Sequence, residues 1–193
     1  MKKLLCFLLA SLAYVSWAYP AELKIMGGVS LSRSTEPLRG AIFELDYEPV
    51  YGAGAILGGG LEFNLKQKIA FEIDALYFQK GSRIRVSWES DDVVVDRFME
   101  RMDELSFPAL LKLYFKPGAS PYILGGGELA IVLTKDSKPI DFGLVCGAGF
   151  RKKICSAYIS LEVRYHHGLQ DTNGGSWDLR KMRVFALIVG LSL

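Results

Sequence analysis

Apolar residues recur at every second position through most of this chain, and the last stretch shows the pattern most plainly. From Lys181 to Leu193 (KMRVFALIVGLSL), Phe185, Leu187, Val189, Leu191 and Leu193 share one face of a strand, because successive side chains of a strand alternate sides. The other face carries Ala186, Ile188, Gly190 and Ser192, which are mostly small. The same alternation predicts seven earlier strands: 24–33, 51–65, 68–86, 101–115, 121–133, 140–150 and 154–167. The seventh is the cleanest, with Ile159, Leu161, Val163 and Tyr165 on one side and Tyr158, Ser160, Glu162, Arg164 and His166 on the other. Pro108 falls inside the fourth strand and has no N–H to give the ladder, so a bulge is expected there.

Eight alternating strands fit two architectures: a soluble barrel with its apolar face inward, and a membrane barrel with that face outward. Mid-strand charges (Glu62, Glu72, Asp74, Lys112, Glu128, Glu162 and Arg164) mark the polar face in either case. Aromatic positions separate the two. Threading the strands up and down puts Phe63, Phe71, Phe115 and Phe150 at one end, and Tyr51, Tyr77, Phe107, Phe142, Tyr165 and Phe185 at the other. From Phe107 to Phe115 the chain climbs about 27 Å, or roughly 21 Å of height after a ~40° tilt, close to the ~25 Å apolar band between the two aromatic girdles of an outer-membrane barrel. Long loops at 34–50, 87–100 and 168–180 fall on one rim, and tight turns at 66–67, 116–120 and 151–153 on the other. The expected fold is therefore all-β: an eight-stranded antiparallel up-and-down transmembrane β-barrel, lipid outside and charges inside, with both termini on the periplasmic, short-turn side.

Composition agrees. Half of the 193 residues are hydrophobic, yet after the N-terminus no run approaches the ~20 apolar residues of a membrane helix. Glycine, 20 residues, clusters inside the alternating segments rather than in linkers. Residues 1–18 read as a secretory signal peptide: Lys2 and Lys3, an apolar centre from Leu4 to Val15, and Ser16-Trp17-Ala18 as a small-x-small cleavage site. Residues 19–193 then form the barrel domain. Without Lys2 and Lys3 its 21 basic residues equal its 21 acidic ones, which gives no support to nucleic-acid binding.

Candidate chemistry is sparse. Cys146 and Cys155 do not occupy matched positions around a simple turn, so two free thiols are expected, with a diagonal disulfide as the alternative. Two thiols without a nearby histidine pair make an incomplete zinc site. The acids Glu89, Asp91, Asp92 and Asp96 lack calcium-loop spacing, and Gly125-Gly126-Gly127 is followed by neither Lys-Ser/Thr nor a helix, so it cradles no phosphate. His166 and His167 are read as rim histidines at the loop end of strand seven. No residue is assigned as catalytic, cofactor-binding or metal-ligating. Inward Glu62, Glu72, Asp74, Glu104, Glu128 and Glu162 against Lys80, Lys112 and Arg164 are expected to fill the interior with salt bridges. Their acid surplus suggests raised carboxylate pKa values, or held water or cations.

Several runs resemble the PorT-like outer-membrane β-barrel proteins of Bacteroidetes-type bacteria, small barrels of the OmpX/OmpA kind. They are Glu104-Leu105-Ser106-Phe107-Pro108-Ala109-Leu110-Leu111-Lys112, Pro121 to Gly127 (PYILGGG), Tyr77 to Gly81 (YFQKG), Gly147-Ala148-Gly149, and Leu161 to Leu169 (LEVRYHHGL). The terminus departs from the family pattern, ending in Leu193 where such barrels commonly end in Phe. The resemblance implies an outer-membrane location and insertion by the barrel-assembly machinery, which would read the apolar terminus. The expected role is non-enzymatic, structural or surface-interacting through the long loops, with an extracellular or envelope partner left open. The alternatives are an accessory part in protein export across the outer membrane, which the family name implies, and a membrane lipid hydrolase. Lipid A deacylases place a serine two residues after a histidine, whereas here those positions are Gly168 and Leu169.

Overall fold

Alternation with a large apolar residue on one face commits a chain to strands that must bury their backbone polar groups in a ladder. A computed structural model describes residues 21–34, 38–39, 45–88, 94–117, 120–134, 140–169 and 182–193. Within them lie eight long strands: β1 (Ala21–Ser34), β2 (Leu45–Lys66), β3 (Ile69–Trp88), β4 (Val94–Tyr114), β5 (Ser120–Val132), β6 (Ile140–Ile154), β7 (Ala157–Gly168) and β8 (Met182–Ser192). The two-residue piece Leu38–Arg39 pairs with the start of β2. The segment 1–18 lies outside the described residues, as do the central parts of the long loops.

Each long strand pairs antiparallel with its sequence neighbour, and β1 also pairs with β8, so the sheet closes. At the seam Ile25 stands opposite Gly59 of β2 on one side and Leu191 of β8 on the other. Where β1 pairs with both β2 and β8 the described strands form a closed ring with no free edge, the condition for spanning a bilayer with strands. β8, with burial alternating strictly from Met182 to Ser192, has the partners its pattern required, β7 and β1.

Side-chain direction is as the alternation predicts. Ile25, Val29, Leu31, Leu57, Leu111, Leu113, Ile123, Leu161, Val163, Leu187 and Val189 are all exposed on the outer wall. The charged alternates are buried inside, among them Glu62, Glu72, Asp74, Lys112, Glu162 and Arg164, each with at most 1% of its surface exposed. An exposed apolar wall around a buried charged interior is the reverse of a soluble ligand-carrying barrel. On one rim Phe185 packs against Tyr51 (centroids 6.4 Å) and Tyr165 (5.0 Å), and Tyr165 against His167 (6.1 Å), a continuous stretch of aromatic belt.

Four expectations are corrected. The hairpin β3–β4 runs on to Ser87↔Val94, and β2–β3 begins at Leu45↔Trp88, so residues 45–50 and 94–100 are ladder rather than loop. A strand beyond the lipid keeps its hydrogen bonds but no longer needs an apolar outer face, so the alternation fades while the strand continues. The β6–β7 turn lies at Cys155-Ser156, not at 151–153. Cys155 takes a positive φ of 56°, as a two-residue hairpin of the II′ type needs at its first central position. Pro108 makes no bulge: the β3–β4 ladder skips from Ile73↔Ala109 to Leu76↔Ser106 and resumes in the same register. The missing N–H costs rungs and no residue is inserted. Phe63, expected on the outer face, is buried beside buried Glu62, at the end of β2 where the register shifts between Asn64 and Lys66.

Candidate functional site

β3 shows how the interior is layered. After Ala70 its inward residues from the short-turn end are Glu72 and Asp74, then Leu76 and Phe78, then Lys80. Charged groups therefore gather in two clusters, with an apolar patch of Met26, Ile56, Leu76, Phe78, Val184, Ala186 and Ile188 along the wall between them.

The cluster nearer the short turns is centred on Lys112 and Arg164. Lys112 Nζ donates to Glu72 Oε2 (2.5 Å), Glu62 Oε2 (3.1 Å) and Glu162 Oε1 (3.2 Å). Arg164 donates to Asp74 Oδ2 (2.7 Å) through one terminal nitrogen, to Glu72 Oε1 (2.8 Å) through the other, and to Glu162 Oε2 (2.7 Å) through Nε. Lys24 reaches Glu72 (3.2 Å) and pairs with Glu162. Arg151 donates to Glu62 Oε1 (2.9 Å) and Glu22 Oε2 (3.1 Å), stacked between Tyr114 and Tyr158. The tyrosines finish the carboxylates' coordination: Tyr114 donates to Glu62 and Tyr122 to Glu162, each at 2.6 Å. Four buried cations thus meet four buried carboxylates, Glu62, Glu72, Asp74 and Glu162. Such density in a low-dielectric interior is sustainable only with this many donors, because an unpaired buried charge costs several kcal/mol.

The cluster nearer the long loops is acidic. Lys80 pairs with Glu104, while His166 Nδ1 lies 2.8 Å from Glu128 Oε2, which also accepts from Ser106 Oγ (2.9 Å). Asp141 is buried in the same region. Among the described residues, three carboxylates here face one lysine and one histidine, so the acid surplus of the described interior lies at this end.

All nine charged residues expected inside are buried there: Glu62, Glu72, Asp74, Lys80, Glu104, Lys112, Glu128, Glu162 and Arg164. The alternation also put His166 inward, but the rim reading of it is corrected: it is 2% exposed, bonded to Glu128 and edge-on to Phe78 at 5.0 Å. Lys24 and Arg151 were missed. Lys24 opens a strand whose polar face is otherwise Met, Gly and Ser, and Arg151 stood in a basic run read as a turn. Counting the two-residue period through to Ile154 would have turned Arg151 inward.

Cys146 and Cys155 are free and exposed. They sit at the middle and just past the end of one strand, roughly 30 Å of extended chain apart, far beyond disulfide reach. Among the described residues no group of His, Cys, Asp and Glu has the arrangement of a metal site. An open apolar groove of about 350 Å³, lined by Ile25, Gly27, Leu57, Ile159, Val189 and Leu191, indents the outer wall.

No curated protein matches the chain in sequence. Among solved structures, the outer membrane protein OprG from Pseudomonas aeruginosa is similar in fold, with a TM-score of 0.53 and 14% identity over 91% of this chain and 97% of that one. Residues 20–174 match the outer membrane protein beta-barrel domain family. The closed eight-stranded sheet, its apolar outer wall and this match agree: the chain belongs to the outer membrane protein beta-barrel domain family and is a protein of the outer membrane.

Proposed function

We propose that this protein is a non-enzymatic surface barrel, sealed by its ion-paired interior, that acts through the long loops it displays outside the cell. The observation carrying the reading is the wall-to-wall span of the network: Arg164 on β7 binds Glu72 and Asp74 on β3, four strands away in either direction around the barrel. Eight strands enclose only enough room for side chains, and these side chains hold one another across it. Both termini then face the periplasm on the short-turn rim, the chain having entered by the signal peptide at 1–18. The narrower kinship with PorT-like barrels belongs to the same proposal and rests on the residue runs around Pro108, Gly126 and His167.

Lipid hydrolysis has no support in the arrangement of the two histidines. His166 faces the interior, and His167 faces outward beside Tyr165, with Nδ1 3.3 Å from the phenol oxygen. Hydrolysis of lipid A by the purified protein, lost in His166→Ala or His167→Ala, would reverse this judgement.

Surface labelling of epitope tags tests the display. A tag placed between 170 and 180 is expected to be reached on intact cells, and a tag after Leu193 only once the envelope is opened. The opposite pattern contradicts the reading. Deleting the gene is expected to alter surface binding or envelope integrity with secreted proteins unchanged. A secretion defect would favour the export role instead.

A further inference from the structure

The rim that gathers the tight turns is strongly basic. Lys66 precedes the β2–β3 turn and Lys68 lies in it, Lys116 follows β4, and Lys152 and Lys153 lie at the end of β6, and all five are exposed. Glu22 is the one acidic side chain among the described residues of this rim (21–23, 64–69, 113–117, 120–121, 150–158 and 191–193), and Arg151 and Asn64 already occupy it. Among the described residues none of the five lysines stands in an ion pair; Lys153 lies over the Tyr158 ring at 5.7 Å.

Their placement relative to lipid-facing residues says what they meet. Lys66 follows exposed Leu65, Lys116 follows exposed Phe115, and Lys152 lies two residues past exposed Phe150, hence on the same outer face, paired with outward Ile159. Lys152 is thus set at the edge of the apolar band, with Lys66 and Lys116 one residue past it, where a lysine stem lies along acyl chains while its head sits among headgroups. The charge runs from the lipid-facing edge at Lys152 to the turns at Lys68 and Lys116, all next to residues that face the bilayer.

We infer that this lysine-rich rim is a binding surface for the phosphodiester headgroups of anionic phospholipids in the leaflet it meets. Five unpaired cations with no free acidic side chain between them make a field that a zwitterionic headgroup does not answer, and at physiological salt it acts within ~8 Å, the range of lipids in direct contact.

Native mass spectrometry of the purified, detergent-folded protein tests this, with phosphatidylglycerol and phosphatidylcholine of matched chains as probes. Wild type is expected to retain phosphatidylglycerol at least roughly fivefold over phosphatidylcholine, with the preference lost at high salt. Inorganic phosphate should leave no adduct. The variant with Lys66, Lys68, Lys116, Lys152 and Lys153 all changed to Gln should lose the preference, and Lys152→Gln/Lys153→Gln, a milder change, should weaken it. Arg33→Gln/Arg183→Gln, at the opposite end of β1 and β8, should keep it. Equal retention of the two lipids by wild type, or an undiminished preference in both lysine variants, overturns the inference.

Discussion

Arg164 and Asp74 stand on opposite walls of the barrel, on β7 and β3, and are joined directly, with the guanidinium 2.7 Å from the carboxylate. The same guanidinium holds Glu72 and Glu162, so one side chain bridges the lumen and neutralises three carboxylates in part. Arg164→Ala would leave those acids buried with fewer donors, and is expected to destabilise the barrel by about 3–5 kcal/mol. Arg164→Lys should recover only part of this, since one ammonium cannot present the planar fork. Urea unfolding midpoints in lipid vesicles measure both. A loss below about 1 kcal/mol for Arg164→Ala would mean that the network does not depend on its bridge.

The His166–Glu128 contact predicts a coupling that no rim histidine would have. In a double-mutant cycle with His166→Ala and Glu128→Ala, an interaction of about 1.5–3 kcal/mol is expected, the range for a buried hydrogen bond to a charged group. Additive effects in the same unfolding assay would return His166 to the surface.

Adjacent glycines of β5 should behave differently. A Cβ at Gly126 would sit 2.0 Å from the backbone oxygen of Ala109, whereas one at Gly125 would meet nothing closer than 3.7 Å. Gly126→Ala is expected to block or severely weaken folding, and Gly125→Ala to be tolerated. The heat-modifiable shift of a folded barrel on a gel reports the outcome. Equal behaviour of the two would contradict the close approach of β4 and β5.

The cysteines give a solution test of register. Cys155 lies in a water-facing turn and Cys146 mid-strand on the outer wall. A membrane-impermeant maleimide, applied to the reconstituted barrel with both sides accessible, should label Cys155 and spare Cys146. Cys155→Gly should add about 1 kcal/mol of stability, because glycine adopts the positive φ without a Cβ penalty. Labelling of Cys146 at a matching rate would place β6 in another register.

Where the chain meets lipid, the sequence was close to transparent. Lipid requires an apolar outer face, and a two-residue period against charged alternates such as Glu162 and Arg164 cannot be read as a helix. Legibility fails where that contrast stops. Residues 45–50 and 94–100 mix Pro49, Glu48, Asp96 and Arg97 with apolar neighbours, so the pattern carries no signal although the ladder continues. Charges of the interior were readable one strand at a time, but their partners were not. That Lys24 meets Glu72 and Glu162, or that Arg151 reaches Glu62, depends on the register around the whole circumference. Cys155-Ser156 carries no glycine or asparagine to announce a turn, which displaced the hairpin by several residues and hid Arg151 among loop residues.

If side chains paired across the lumen seal the barrel, planar-bilayer recording of the purified protein will find it closed. The wild-type barrel is expected to insert without a stable conductance. A reproducible conductance in the nanosiemens range, carried by wild-type protein, would mean that the paired side chains leave the lumen open.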